Sequence, residues 1–256
     1  MKRRDSIRYG AASLLTAIIT ASGYRKTSGQ NNSSVSVQWL GHTCFLFVGG
    51  GLRILVNPFS RIGCTAGYRS PQVKADLVLI SSQLLDEGSV EGLPGNPEIL
   101  FEPGDYEFGG IEFQGISIAH DRQGGRRFGN NVAWTWNQAG VKILHLGGAA
   151  APIGIEQKIP MGVPDLALVP VGGGVKAYNP TEAKQAIDAL NPKLVIPTQY
   201  LTAAADRNAC DIEPVEEFLQ LAKGVPVSRI NSDRLVVNKF NLPRQGPVIK
   251  VLSYKF

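Results

Sequence analysis

Cysteine is scarce, charge is sparse and no long apolar run appears in this 256-residue chain, and each shortage removes a class of protein. The three cysteines, Cys44, Cys64 and Cys210, are an odd number with no Cys-x-x-Cys spacing, so they make neither a zinc knuckle nor a disulfide framework. Charged residues are 18 % against 43 % apolar, with no low-complexity stretch, which excludes wholesale disorder and a coiled coil. Of the net charge of +5, residues 1 to 23 hold Lys2, Arg3, Arg4 and Arg8 against Asp5, so the remainder carries only about +2. Apart from Arg25-Lys26 in a polar stretch, Arg126-Arg127 is the only adjacent basic pair after that end, and no nucleic-acid partner is expected. What is plentiful is glycine, 29 residues, and proline, 16, a balance that favours many short strands and turns over a helical bundle.

The N-terminus reads as an address. Lys2-Arg3-Arg4-Asp5-Ser6-Ile7-Arg8 precedes an apolar core from Ala11 to Ile19. That core is about nine residues against the roughly 20 that span a bilayer. The twin arginine, followed by Ile7 and Arg8, resembles the signal that exports proteins already folded. Thr20, Ala21 and Ser22 are small enough for signal peptidase. The expected organisation is a signal over residues 1–23, a flexible linker over 24–34 and one domain over 35–256. The expected location is the periplasm or a thylakoid lumen, with membrane contact only through an uncleaved signal. In an oxidising compartment one cysteine pair can bridge and one thiol stay free; Cys44, among Phe45, Leu46 and Phe47, reads as a buried thiol.

From Val35 the pattern is strand after strand. Candidates are Val35 to Leu40, Cys44 to Val48, Leu52 to Val56, and the continuous apolar run Leu77 to Ile80, which suits a strand buried on both faces. Others follow at Glu98 to Phe101, Ile111 to Ile118, Val132 to Trp136, Val141 to Leu146, Leu166 to Val171, Leu194 to Ile196, Arg234 to Val237 and Val248 to Leu252. Trp134 and Trp136 alternate with Ala133 and Thr135 and so share one strand face, read as buried. Asn179-Pro180-Thr181-Glu182 combines a cap residue, proline at the first helical position and an early carboxylate, and Ala183, Ala186, Ile187 and Leu190 then share a face. A second helix starts near Glu213-Pro214 and stops at Gly224. Runs of strands with helices outside them imply layers, two sheets between helices.

Several segments together resemble the metallo-β-lactamase fold, in the branch of zinc-dependent hydrolases related to the L-ascorbate phosphate lactonase-like proteins. They are Trp39-Leu40-Gly41-His42-Thr43-Cys44-Phe45, Ile54-Leu55-Val56-Asn57-Pro58-Phe59, Ala75 to Ser81, Glu102 to Glu107, Ala119-His120-Asp121, Ile143-Leu144-His145-Leu146-Gly147, Val169 to Gly173 and Asn191 to Pro197. The resemblance implies an α/β (α+β) four-layer αββα sandwich and a pair of metal ions, usually zinc, activating a bridging water.

The ligands that this chemistry needs are mostly missing. Where the family has His-x-His-x-Asp-His, this chain has Ser82-Gln83-Leu84-Leu85-Asp86-Glu87. A ligand histidine matches His120, the bridging aspartate falls on Gly148, and the last histidine falls on Gln199. Only Asp86 and His120 keep their family type, too few for two zinc ions. The remnant pocket is therefore read as His42, Ser82, Asp86, Glu87, His120, Asp121 and Gln199, with no catalytic residue assigned and no cofactor expected. Within it, Asp86, Glu87 and His120 are the candidate ligands for a single zinc or other divalent metal, and a hydrogen-bonded His120–Asp121 pair is the plainer alternative. His145, at the end of an apolar strand, reads as a core histidine. Ser82 with His120 and Asp86 or Asp121 has the residue types of a triad but lacks the Gly-x-Ser-x-Gly elbow, and Gly172-Gly173-Gly174 reads as a tight loop at the pocket rim. The expected function is an exported, non-catalytic binding module for a small molecule or another exported protein; the alternative is a hydrolase of an ester, lactone or phosphoester with a reduced, mononuclear site.

Overall fold

Period-two alternation decides how the first half of the chain packs. The structure, a computed structural model, describes residues 33–205 and 207–254. The expected signal and all of the expected linker before Ser33 lie outside the described residues, and Ser34 already opens the first strand. The strands run β1 (Ser34–Gly41), β2 (Cys44–Gly49), β3 (Leu52–Val56), β4 (Leu77–Leu79), β5 (Glu98–Leu100), β6 (Gly104–Phe108), β7 (Ile111–Ala119), β8 (Asn130–Gln138) and β9 (Val141–His145). Helix α1 (Ile155–Met161), β10 (Leu166–Pro170), α2 (Pro180–Leu190), β11 (Leu194–Thr198), α3 (Val215–Leu221), β12 (Val227–Arg229), β13 (Arg234–Asn238) and β14 (Val248–Val251) complete the order.

Two sheets result. The first has the order β13-β1-β2-β3-β4-β5, the second β12-β14-β11-β10-β9-β8-β7-β6. In β2, Phe45 and Phe47 face the second sheet while Cys44 and Leu46 face away; in β3 Ile54 and Val56 are separated in the same way from Leu55, and in β4 Leu77 and Leu79 from Val78. Phe47 meets Trp136 edge to face with centroids 5.0 Å apart, one of the contacts that joins the sheets. Such a pair contributes about 0.5–1.5 kcal/mol beyond its buried area. Trp134 and Trp136 are both buried in this interface, as their alternation implied.

The second sheet carries the helices: α1 packs on β7, α2 on β10, and α3 on α2. Helix α2 starts where its sequence says. Asn179 Oδ1 accepts from the Glu182 N–H at 2.9 Å, Glu182 Oε2 accepts from the Asn179 N–H at 2.9 Å, and Asn191 ends the helix with a left-handed φ of 48°. Over the outer face of the first sheet the covering layer is made of loops, with Phe59, Tyr68, Val73, Ala75, Val90 and Leu93 packed on Cys44, Leu46, Leu55 and Val78. Three elements escape a reading of periodicity: α1 is seven residues long and contains Pro160, β12 has three residues, and β6 exposes Asp105 and Glu107 at a sheet edge.

A disulfide joins Cys64 to Cys210 across 146 residues, and Cys44 is the buried free thiol. The bridge fastens the loop after β3 to the loop after β11. Tyr68 Oη and Thr202 Oγ1, 2.5 Å apart, tie the same two loops.

Candidate functional site

The carboxyl ends of strands from both sheets meet at one polar centre. His42 follows β1, Asn57 follows β3, Ser82 to Glu87 follow β4, His120 follows β7, Gly147 and Gly148 follow β9, and Gln199 follows β11. Strand ends are where a sheet's backbone polarity is no longer used by the ladder, so polar side chains collect there at low cost. Of the described non-glycine residues with left-handed φ, three lie here: His42 at 51°, Asn57 at 50° and Gln199 at 52°. Such a conformation persists only where surrounding contacts over-determine it.

The structure brings together Glu87, His120, Gln199, His42 and Asp86. Gln199 Nε2 donates to Glu87 Oε1 at 3.0 Å, and Glu87 Oε2 stands 3.4 Å from His120 Nε2. His42, Glu87, His120 and Gln199 are each at most 2 % exposed. Several of their polar atoms make no hydrogen bond to protein: both ring nitrogens of His42 and of His120, Glu87 Oε2 and Gln199 Oε1. Nearby strand ends add Thr43 Oγ1, Asn57 Nδ2, Ser81 Oγ and Thr198 Oγ1.

Two expected members are occupied elsewhere. Ser82 Oγ accepts from the Leu84 N–H at 3.2 Å, within its own loop. The Asp121 carboxylate serves its own loop rather than His120: Oδ1 accepts from the Gln123 and Gly125 N–H groups at 2.7 and 2.9 Å, and Oδ2 from Arg127 and Phe128, both at 2.9 Å. The Phe128 N–H, with the other three, brings its pKa down to about 2. The expected His120–Asp121 pair is thus replaced by a His120–Glu87 pair. His145 is the core histidine its strand position implied. Its Nε2 meets the Thr43 carbonyl and its Nδ1 accepts from the Gly147 N–H, both at 3.0 Å.

Lys176 is the participant that sequence reasoning missed. It lies in the loop after β10, read only as a tight glycine turn, and its ammonium is ion-paired with Asp86, 90 residues earlier. No spacing in the chain announces such a contact. Burial works to raise the Asp86 pKa, but the charge and hydrogen bond of Lys176 bring it below the usual value. Burial pushes Glu87 up to about 8, aided by the Asp86 charge. Burial also pushes His42 and His120 down to about 4; Lys176 assists and Asp86 opposes in both. Burial thus favours the uncharged forms of Glu87 and His120, and Lys176 pairs with the Asp86 carboxylate.

The model of the beta-lactamase superfamily domain matches residues 36–199. The chain belongs to this family. A UPF0173 metal-dependent hydrolase of Thermococcus onnurineus is 30 % identical over 193 residues, covering 66 % of this chain and 85 % of that protein. The solved structure of a Thermotoga maritima protein of the metallo-beta-lactamase superfamily aligns with a TM-score of 0.66 at 28 % identity, over 85 % of this chain and 98 % of that one. Igni18, a metallo hydrolase of Ignicoccus hospitalis, shares the fold at 17 % identity with a TM-score of 0.55, over 74 % of this chain and 91 % of that one. The family places β12 to β14, α3 and Cys210 beyond its matched segment.

Relatives in the superfamily are named for their metals, but the donor set here does not fit a metal pair. Leu84 has no donor atom, and Gly148 has no side chain at all. A Cβ at Gly148 would lie 2.4 Å from His120 Nε2 and 2.7 and 2.8 Å from the two oxygens of Glu87, so those side chains fill the space a carboxylate at 148 would need. Among the described residues, no group of three His, Cys, Asp or Glu side chains is arranged to hold a metal ion.

Proposed function

We propose that this chain is an exported, non-catalytic member of the beta-lactamase superfamily, whose former hydrolytic centre now serves binding of a small polar ligand or another exported protein. The observation that carries the reading is the occupation of the space beside Gly148 by Glu87 and His120. Binding is supported by what surrounds the centre. Leu85 and Val175 are exposed apolar neighbours of Asp86 and Lys176 in the chain, and the loop that carries exposed Ile62 joins the Leu85 loop through the Ser60 N–H, which donates to the Leu85 carbonyl at 2.7 Å. The Cys64–Cys210 disulfide and the twin-arginine pattern at residues 3 and 4 both favour export to an oxidising compartment.

Metal analysis of the exported protein tests this. Less than a tenth of an equivalent of zinc, manganese or iron per chain is expected, together with no turnover of ester, lactone or phosphoester substrates. Two equivalents of zinc would refute it.

A second reading, a hydrolase with one metal on Asp86, Glu87 and His120, is favoured by the facing, unbonded Glu87 Oε2 and His120 Nε2 and by the metal-dependent relatives. It requires His120→Ala to abolish metal binding and turnover together; turnover unchanged in that variant eliminates it.

A further inference from the structure

We infer that the Cys64–Cys210 disulfide is a redox catch on the polar centre, and that its reduction by a dithiol of the export compartment admits a small polar ligand. The inference rests on the binding reading above and adds what opens a closed site.

The centre needs an opening step. His42, Glu87, His120 and Gln199 are each at most 2 % exposed, so no ligand reaches their unbonded polar atoms while the surrounding loops stay in place. A circuit of contacts joins those loops. Beside Cys64, Thr65 Oγ1 donates to the Ser60 carbonyl at 2.6 Å, and the Ser60 N–H donates to the Leu85 carbonyl at 2.7 Å. Asp86, next in the chain, is ion-paired with Lys176. The loop of Lys176 starts near Gly172, whose carbonyl accepts from the Glu213 N–H at 2.6 Å, and Glu213 lies three residues beyond Cys210. The bridge then returns to Cys64. Members of the centre sit on the same segments. Asn57 precedes Ser60 by three residues, Glu87 follows Asp86, and Gln199 stands two before Leu201, whose N–H donates to the Glu213 carbonyl at 2.9 Å. Gly172 backs so closely on Gln199 that a Cβ there would collide with the Gln199 carbonyl oxygen.

Of these links only the bridge is covalent, and only the bridge answers to redox state. It joins loops rather than strands, so opening it leaves the ladders of both sheets untouched. It is also reachable. Cys64 and Cys210 are half-buried, with exposed Arg61, Ile62 and Gly63 before one and exposed Arg207, Asn208 and Ala209 before the other, whereas the free thiol of Cys44 is fully buried. A thiolate of the dithiol attacks one bridge sulfur to form a mixed disulfide, and the other sulfur leaves as a thiolate and takes a proton. The second thiolate of the dithiol then releases the first cysteine. Two electrons and two protons enter the pair, and the dithiol departs as its disulfide. Without the bridge the circuit is held by hydrogen bonds and one ion pair, contacts that open locally far more often than packed sheets do.

The three histidines of the chain report opening without an identified ligand. His42 and His120 belong to the centre, while His145 is held in the core by the Thr43 carbonyl and the Gly147 N–H. The full exported chain is treated with diethyl pyrocarbonate, and modification of each imidazole is followed by mass spectrometry. In the oxidised protein all three are expected to react slowly. In Cys64→Ser/Cys210→Ser, and in wild type reduced with a phosphine, His42 and His120 are expected to react about tenfold faster or more while His145 stays slow. Unchanged rates at His42 and His120 in a folded, bridgeless protein overturn the inference and leave the proposed function standing. A matching rise at His145 overturns it as well, since that signals general loosening. So does failure of both bridgeless forms to fold, which would make the bridge a requirement of the fold. Two equivalents of zinc on wild type would instead bring down the proposed function itself.

Discussion

Gly148→Ala isolates the packing of Glu87 and His120 against the backbone after β9. Gly148 lies outside the left-handed region, so alanine meets no backbone strain, and the substitution adds a single methyl group. That group would stand 2.4 Å from His120 Nε2 and 2.7 and 2.8 Å from Glu87 Oε1 and Oε2, where ordinary contact distances begin near 3.4 Å. Two fully buried side chains must therefore each retreat by about half an ångström or more, into a centre closed by the sheet ends. Overpacking of this kind costs about 1–3 kcal/mol, against which the reduced freedom of the unfolded chain returns about 0.4–1 kcal/mol. A net loss near 1–2 kcal/mol is expected, which lowers the melting temperature by about 2–8 °C for a chain of this size. Urea unfolding followed by tryptophan fluorescence reads it directly. Glu87→Ala removes two of the three close contacts, so in that background Gly148→Ala should cost at least about 1 kcal/mol less, a coupling that a double-mutant cycle measures. A Gly148→Ala protein within about 0.5 kcal/mol of wild type, or strict additivity with Glu87→Ala, would mean that Glu87 and His120 do not fill this space, and the reasoning would fail.

Two further outcomes are expected. His145 is brought by burial from 6.5 down to about 4, so between those values the unfolded chain takes up a proton that the folded chain refuses. Its contribution is complete above pH 6.5 and is lost as the pH falls toward 4, by about 3 kcal/mol in all; His145→Gln, which does not titrate, should flatten the wild-type profile by that amount between pH 7 and pH 4, and parallel profiles would count against it. The Cys64–Cys210 bridge closes a loop of 146 residues. Its loss, by reduction or by paired serine substitution, should lower stability by about 2–5 kcal/mol in urea unfolding, while an unchanged midpoint would show that the pair is not bridged.

Much of the fold was legible because its signals are local. The alternation in Cys44 to Val48 and Leu52 to Val56, the cap at Asn179-Pro180-Thr181-Glu182 and the paired Trp134 and Trp136 each report their surroundings within a few residues, and the structure places them accordingly. β6, β12 and α1 were illegible because their sequences lack a buried apolar run: β6 carries Asp105 and Glu107, β12 buries none of its three residues, and α1 contains Pro160. At the centre, the missing donors were visible as residue types, Leu84 and Gly148, whereas the redirection of Asp121 to four loop amides was not, since a carboxylate beside a histidine looks the same whichever way it turns.

The chain by itself determined which donor side chains are absent at Leu84 and Gly148, because a leucine cannot bind a metal and a glycine has no side chain in any fold. It also determined which faces of its strands are buried, since side-chain period is a property of the backbone. Only the tertiary structure decided what replaced the missing groups: that Glu87 enters the space beside Gly148, that Lys176 reaches Asp86 across 90 residues, and that Cys64 meets Cys210 across 146. These are contacts between chain segments far apart in sequence, set by how two sheets stack and where their strand ends converge, and no local pattern records them.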